Sequence, residues 1–564
     1  MSSLLRTKKF APFFWTQFLG AFNDNVYKNA LIILIAFQTI NEAESGLWIN
    51  LASGLFILPF ILFSPLAGQI CDKFEKARII HLIKFYEIVI MTMGAVGFFW
   101  GNSLFLIAVL FFMGLHSTFF GPIKYSILPQ HLASNEIMSG TSLVEMGTFI
   151  AILLGTILGA VLMKSGVFAI SCGVIVIAIA GWLTSLQIPQ AKAVAPELKL
   201  NFNPSSEIRN LYRIASKEPS VYYAIFNISW FWAVGATILA QLPTLVKHIM
   251  RADEFVVTLF LAIFTLSISV GAFVSSKISD SKFELGIVPL GALGISIFVF
   301  DLGTIDYSIL SNYHLDLRGF LLYFNDFTPY RTMIDLGFIG FFGSFFIVPL
   351  YALLQFRSDH RECSRVIAAN NIINSIFMVA AALGTMLLYG LGLNTSGIFI
   401  VFSLANLAVT GYVFILQPEM LIRFLAWAMA KTVYKIRYFG RQTVPTRGAV
   451  LLGTKKISLR QRILATAACQ RPVHFFEKST LPSQGLSLAE LKQQLATGVI
   501  VAVPAMGTSV DRQRWLALKA YCNEQEIPVL SFEVEEHQRI AARIPLLWSK
   551  LLYHVWIEKV RGAS

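Results

Sequence analysis

Charge is what this 564-residue chain has least of: only 14% of its residues are charged, against 56% hydrophobic. That balance excludes an ordinary soluble enzyme, in which charged residues make up about a quarter. Cysteine is also scarce. Cys71, Cys172, Cys363, Cys469 and Cys522 are scattered, odd in number and without a CxxC pair, which suggests neither a disulfide framework nor a zinc site. No metal and no cofactor are expected. Basic residues precede the first apolar run, but no small-residue cleavage site follows it, so that run reads as an uncleaved first span. The net charge of +13 would suit nucleic acid if it were concentrated. It lies instead in short clusters between apolar runs, which fits anionic headgroups and topology signals and points away from nucleic acid.

Apolar sequence is abundant, with 48 phenylalanines. Roughly twelve runs reach the ~20 residues needed to cross a bilayer. They centre near residues 25, 58, 90, 112, 151, 176, 234, 266, 294, 346, 378 and 405. Arg6, Lys8 and Lys9, then Lys73, Lys76, Arg78 and Lys84, then Lys192 to Lys217, Lys277, Lys282, Arg357, Arg361 and Arg365 all fall on one side. By the positive-inside rule that side, with both ends of the bundle, is cytoplasmic.

The expected fold is an all-α membrane protein, a twelve-helix bundle of two pseudo-symmetric halves of six, with a small C-terminal α/β domain. The expected divisions are a first bundle at 1–188, a linker at 189–220, a second bundle at 221–418, an amphipathic interfacial helix at 419–440 and the α/β domain at 441–564. Asp72-Lys73-Phe74-Glu75 is echoed by Ser281-Lys282-Phe283-Glu284, and Leu154-Gly155-Thr156 by Leu383-Gly384-Thr385, in matching positions of the two halves. A parallel repeat of this kind suggests a two-bundle secondary transporter. Residues 304–332 form a long connection with an apolar patch at Phe320–Phe324, either lying on the outer leaflet or an ordered turn.

The first span carries the chemistry. Gln17, Asp24 and Lys28 share a helical face with Gly20 and Ala21, beside Asn23 and Asn25. Ionisable residues inside a bilayer are costly and face a wet path or a bundle interior. The alternative is that Asp24 and Lys28, at i and i+4, merely neutralise one another. Glu145 and His116 are further polar residues within spans: Glu145 is a site residue or a capped carboxyl, and His116 reads first as a hydrogen-bonded packing residue. Asn227, Gln241, Asn370, Asn371 and Asn374 either form a facing wall or join helices.

Gly68-x3-Asp72-Lys73-x-Glu75-Lys76-x-Arg78, in the loop after the second span, resembles the signature loop of the major facilitator superfamily. The resemblance implies a cytoplasmic latch in which Gly68 allows close packing and Asp72, with Lys73 and Arg78, meets the other bundle. Gln17–Asn25 with Lys28, and Gly121–Pro129 containing Lys124, resemble the bacterial lysophospholipid transporter family (LplT). That resemblance is clearest over residues 10–190. It implies transport of lysophosphatidylethanolamine and lysophosphatidylglycerol across the inner membrane for reacylation. It also implies a headgroup path including Asp24, Asn25, Lys28 and Lys124. The rival reading is a proton-coupled carrier of an amphiphilic small molecule such as a drug or siderophore.

The C-terminal region from Val444–Gly453 resembles a PlsC-type acyltransferase domain, which many members of that family carry, often followed by an acyl-carrier-protein synthetase. The family's His-x4-Asp is here Lys455 and Arg460, and its Phe-Pro-Glu-Gly is Val503-Pro504-Ala505-Met506-Gly507. An ammonium cannot act as the general base, so no enzyme activity is expected. The expected partners are the lysophospholipid, anionic inner-leaflet lipids and a separate acyltransferase or synthetase. The domain is either a docking module or a remnant.

Overall fold

The computed structural model describes residues 4–38, 42–134, 136–216, 218–250, 252, 254–278, 287–306, 327–359, 361–416, 434–439, 443–445, 448–454, 458–469, 473–475, 488–496, 499–505, 509–537 and 551–559. Residues 307–326 of the long connection, the Ser281–Glu284 echo, residues 419–433 and Lys455 lie outside them.

Twelve helices follow the apolar runs. The first half contains α1 (Ala11–Gln38), α2 (Glu42–Lys73), α3 (Lys76–Trp100), α4 (Ser103–Ser126), α5 (Ile137–Lys164) and α6 (Val167–Ser185). A short helix, α7 (Pro204–Ala215), connects the halves. The second half contains α8 (Pro219–Thr244), α9 (Glu254–Ile278), α10 (Val288–Thr304), α11 (Phe327–Arg357), α12 (Cys363–Gly390) and α13 (Thr395–Leu416). Among the described residues nine helices are long and apolar enough to cross a membrane; α1 is not one of these, and α10 and α13 fall among the shorter apolar helices. What lowers the hydropathy of α1 is its run of Asn23, Asp24, Asn25, Lys28 and Asn29.

Local chemistry sets the ends of these helices. Glu75 caps α3 by accepting hydrogen bonds from the Ala77 and Arg78 amides, and Asn102 caps α4 by accepting from Phe105. Along α1, Phe14, Phe18 and Phe22 stack at i, i+4 spacing with centroids 6.2 and 6.1 Å apart. The contact between α1 and α5 is built on two glycines. A Cβ at Gly155 would lie 2.4 Å from the Phe22 carbonyl oxygen, and one at Gly159 2.6 Å from that of Val26. This small-xxx-small spacing lets the two backbones touch, the usual way helices pack tightly where burial from water gives no drive.

The bundles meet toward the end that carries the basic loops. There Ser139 Oγ lies 3.2 Å from Ser276 Oγ, Gln355 donates to Thr141 at 2.9 Å, and Ser364 donates to Ser126 at 2.9 Å. Away from that end the same helix faces emerge. On α12 the stripe Ala368, Asn371, Ser375, Val379, Leu383, Met386 begins in contact with Gly68 and Gly121 and ends with Leu383 61% and Met386 68% exposed. On α5 the stripe that begins at Ser139 ends with Leu154, Ile157 and Val161 exposed. Leu51 and Leu58 on the outer half of α2 are exposed as well. The two halves are therefore closed at the basic-loop end and splayed at the other.

The C-terminal unit is a six-stranded sheet of order β1-β6-β5-β2-β4-β3. Its strands are β1 (Tyr434–Phe439), β2 (Val450–Thr454), β3 (Val473–Phe475), β4 (Ile500–Pro504), β5 (Val529–His537) and β6 (Leu551–Lys559). All neighbours are parallel except β5 and β6. Helices α14 (Leu459–Ala468), α15 (Leu488–Ala496) and α16 (Ser509–Glu524) complete it. Val450 and Leu452 enter a core with Leu464, Ala465 and Ala468 of α14, whereas Leu451 enters another with Leu491 of α15 and Leu518 of α16. A sheet covered on both faces needs apolar residues at every position, which is why its central strands read as unbroken apolar runs. Of the expected interfacial helix at 419–440, residues 434–439 are instead strand β1, paired with Leu551–Trp556 of β6, and residues 419–433 lie outside the described residues.

Candidate functional site

The polar stripe of α1 forms a ladder. At its lower rung Lys124 Nζ donates to Thr148 Oγ1 at 2.9 Å, Thr148 donates to Gln17 Oε1 at 3.1 Å, and Lys124 lies 4.0 Å from Glu145. Seven residues further along α1, an axial rise of about 10 Å, Asp24 Oδ2 accepts from Ser117 at 2.9 Å. One turn beyond, Lys28 Nζ sits 3.3 Å from the centre of the Phe56 ring. Among the described residues no carboxylate lies within 4.0 Å of Lys28, so Asp24 and Lys28 are not a closed ion pair. Asp24 Oδ1 and Gln17 Nε2 are buried and lack a hydrogen-bond partner among the described residues. Ser117, Lys124 and Thr148 are partly exposed. Lys124 of α4, then Asp24 with its unmatched oxygen and Lys28 on α1, thus follow one another along the α1 face, suited to an anionic or zwitterionic group.

The floor of the ladder joins the two bundles. Glu145 is buried and accepts from the Tyr125 hydroxyl. Tyr125 stacks on Tyr351 of the second half with centroids 4.3 Å apart and planes within 9°. Trp232 donates to the Tyr351 hydroxyl at 3.1 Å, and the Trp232 ring faces Phe149 at 6.2 Å. Through Tyr125, Glu145 thus supports an aromatic stack between the halves.

Other candidates are occupied elsewhere. Asn25 donates to the Ala21 carbonyl of its own helix, and Asn227 donates likewise to Tyr223, both at 2.7 Å. Asn374 accepts from Ser229 at 2.6 Å, joining α12 to α8. Gln241 accepts from the Tyr389 hydroxyl. These amides join helices or close on their own helix.

Of the expected latch, Gly68 and Asp72 reach the second half. A Cβ at Gly68 would lie 2.8 Å from that of Ala368 and 3.0 Å from Arg365 Cα. Asp72 accepts from Arg365 Nε at 3.1 Å and from the Ser364 amide at 3.3 Å. Lys73 lies near the Phe74 ring, and the largely exposed Arg78 reaches, among the described residues, its neighbour Glu75 at 3.5 Å. The contact across the halves is Gly68 and Asp72 against Ser364, Arg365 and Ala368. Breaking a buried ion pair by removing one partner costs roughly 3–5 kcal/mol, enough to shift a two-state ratio about 100-fold or more. With cysteines placed at Ser126 and Ser364, Asp72→Ala is expected to lower the crosslinking yield severalfold. An unchanged yield would mean that the pair does not hold this end shut.

A second charged cluster lies behind Asp24 and escaped the sequence reading. Lys84, counted among the basic-loop residues, is wholly buried inside α3. Its Nζ is 2.6 Å from Glu87 Oε2, which also lies 3.2 Å from His116 Nε2. Asn23 donates to Glu87 Oε1 and to the Val174 carbonyl, each at 3.1 Å. A Lys and a Glu at i, i+3, two turns into an otherwise apolar run, were the available signal.

The sequence profile of the Major Facilitator Superfamily matches residues 13–335. The lysophospholipid transporter LplT of Enterobacter sp. (strain 638) is 28% identical over 401 residues, which cover 70% of this chain and 92% of that protein. The LplT of Klebsiella pneumoniae (strain 342) is 27% identical over 371 residues, covering 64% and 84%. Among solved structures, the human organic anion transporter MFSD10 superposes with a TM-score of 0.57 at 11% identity, covering 72% of this chain and 98% of that one. The proton:xylose symporter XylE superposes with a TM-score of 0.54 at 11% identity, covering 73% and 96%. Identities this low show the fold alone. Profile and fold agree with the two six-helix halves: the chain belongs to the Major Facilitator Superfamily.

Proposed function

We propose that this chain moves lysophospholipids between the leaflets of a bacterial inner membrane by alternating access, so that they can be reacylated. The observation that carries the reading is the pair of splayed seams. Where α2 parts from α12, and α5 from α9, the exposed residues are apolar (Leu58, Leu383, Met386; Leu154, Ile157, Val161). A water-soluble substrate needs a path sealed from lipid. A lysophospholipid needs its headgroup on a polar ladder and its single tail in the bilayer; the ladder of Asp24, Lys28 and Lys124 and these exposed apolar faces suit both. The curated relatives described above bear the name of lysophospholipid transporters, which favours this reading over a proton-coupled drug or siderophore carrier.

In this mechanism Lys124 and Lys28 meet the phosphate at successive stages, and Asp24 meets the ammonium of an ethanolamine headgroup. Gln17 orients the lower rung through Thr148. Opening of Asp72–Arg365 and separation of the Tyr125–Tyr351 stack then expose the headgroup to the basic-loop side, taken as cytoplasmic together with both termini. The C-terminal domain, with Lys455 and Arg460 where an acyltransferase has its His and Asp, is read as a non-catalytic module. It would meet anionic lipid or a separate acyltransferase.

Leaflet-resolved uptake of labelled lysophosphatidylethanolamine into proteoliposomes, with and without an imposed proton gradient, tests the reading. Protein-dependent uptake that needs no gradient is expected. Absence of uptake, with gradient-driven movement of a soluble amphiphile instead, would replace it with the rival carrier.

A further inference from the structure

The connecting helix α7 is amphipathic in three strips. Glu207, Leu211, Ile214 and Ala215 are buried. Arg209 and Arg213, one turn apart, are exposed. Ile208 and Tyr212, also one turn apart, are exposed large apolar residues, and Phe202 just before the helix is 73% exposed. A soluble surface rarely sets two arginines beside three large apolar side chains; a helix resting in the interfacial layer of a bilayer does.

Beside these strips is a cavity of about 430 Å³, bounded by Gln69 of α2, by Lys199 and Asn201, and by Arg209, Asn210 and Arg213 of α7. Its wall is tied to α2: the Asn201 amide donates to Gln69 Oε1 at 2.7 Å, and Gln69 Nε2 donates back to the Asn201 carbonyl at 3.1 Å. Three cations line it against one carboxylate, Glu207. Burial pushes the Glu207 carboxyl above its usual range, and it already accepts from Asn210 at 3.2 Å and faces Arg365. Among the described residues no carboxylate lies within 4.0 Å of Lys199 or Arg209. The cavity therefore carries an uncompensated positive field.

We propose that this cavity binds the phosphate of an anionic phospholipid from the leaflet at the basic-loop end. Arg209 and Arg213 form a two-pronged clamp and Lys199 a third contact, while Phe202, Ile208 and Tyr212 rest among the acyl chains. The apolar strip selects a lipid over a soluble anion, because a small phosphate would have no use for it. Gln69 lies three residues before Asp72, and Glu207 faces Arg365, so the bound lipid would sit against the latch. The inference rests on the membrane placement of the proposed function and not on its substrate.

The test uses the purified full-length chain in dodecyl maltoside, with the melting temperature followed by tryptophan fluorescence. Dioleoyl phosphatidylglycerol, dioleoyl phosphatidylcholine and inorganic phosphate are titrated separately. Phosphatidylglycerol is expected to raise the melting temperature saturably, and R209Q/R213Q to weaken its apparent affinity roughly tenfold or more. K199Q, which changes a single exposed side chain, is expected to weaken it by a smaller factor and stands in if the double variant does not fold. No shift with phosphatidylglycerol, an equal shift with phosphatidylcholine or with phosphate alone, or a wild-type response from the variants would overturn the proposal. Lysophosphatidylethanolamine uptake after the same protein is reconstituted into proteoliposomes separates the two readings, since its loss with the phosphatidylglycerol response intact strikes only the transport assignment.

Discussion

Asp24→Ala is expected to lower lysophosphatidylethanolamine uptake by about tenfold or more, the equivalent of ~1.4 kcal/mol of lost interaction, without reducing the amount of protein in the membrane. Asp24 is half-way along α1, its Oδ2 bonded to Ser117 and its Oδ1 unmatched. Removing it takes away no interhelical ion pair, so folding should survive. Lys124→Ala should act differently. Its ammonium, held by Thr148 near Glu145, is assigned to the phosphate, which both headgroups share. Lys124→Ala should therefore impair lysophosphatidylethanolamine and lysophosphatidylglycerol alike, whereas Asp24→Ala should spare lysophosphatidylglycerol, which has no ammonium. Uptake of the two lipids measured side by side checks this. Full activity in either variant would remove that residue from the path.

The second large effect is on stability. Lys84→Met leaves the Glu87 carboxylate buried with only His116 and Asn23 for support. An uncompensated buried charge of this kind costs roughly 3–5 kcal/mol, a large part of what holds a protein folded. The melting temperature of Lys84→Met in detergent should fall by many degrees. Adding Glu87→Gln, which keeps the hydrogen-bonding shape and removes the charge, should recover most of the loss. A single variant as stable as wild type, or a double variant no better than the single, would show that the pair carries no such weight. Asn23, next to Asp24 on α1, ties that helix to the Lys84–Glu87–His116 cluster of α3 and α4, so the cluster also fixes the rotation of α1 that presents Asp24 to Ser117.

Residues whose behaviour is local were legible in advance. Span positions follow from runs of apolar side chains, and the polar face of α1 follows from helical spacing, since both are sums over neighbours in the chain. The motif points to Asp72 but not to its partner, because Arg365 is 293 residues away and no local pattern distinguishes it from Arg357 or Arg361. Tyr125 and Tyr351 present the same difficulty. The aromatic and basic residues of Tyr434–Phe439 suit a helix on a membrane surface. Tyr434, Ile436 and Tyr438 in fact alternate with Lys435 and Arg437 at period two, and pairing with β6 makes them a strand.

Lys84 shows where that boundary runs. In the chain it is the last cation of a basic cluster and resembles its neighbours; in the fold it is sealed in by Glu87, His116 and Phe120. By itself the sequence determined the fold class, the places of the apolar helices and the helix that carries the polar stripe. Tertiary structure alone decided which charges are paired, which amides join helices and which end of the bundle is shut. The reason is physical: hydropathy belongs to a residue and its chain neighbours, whereas the solvation of a charge depends on atoms brought to it from elsewhere in the fold.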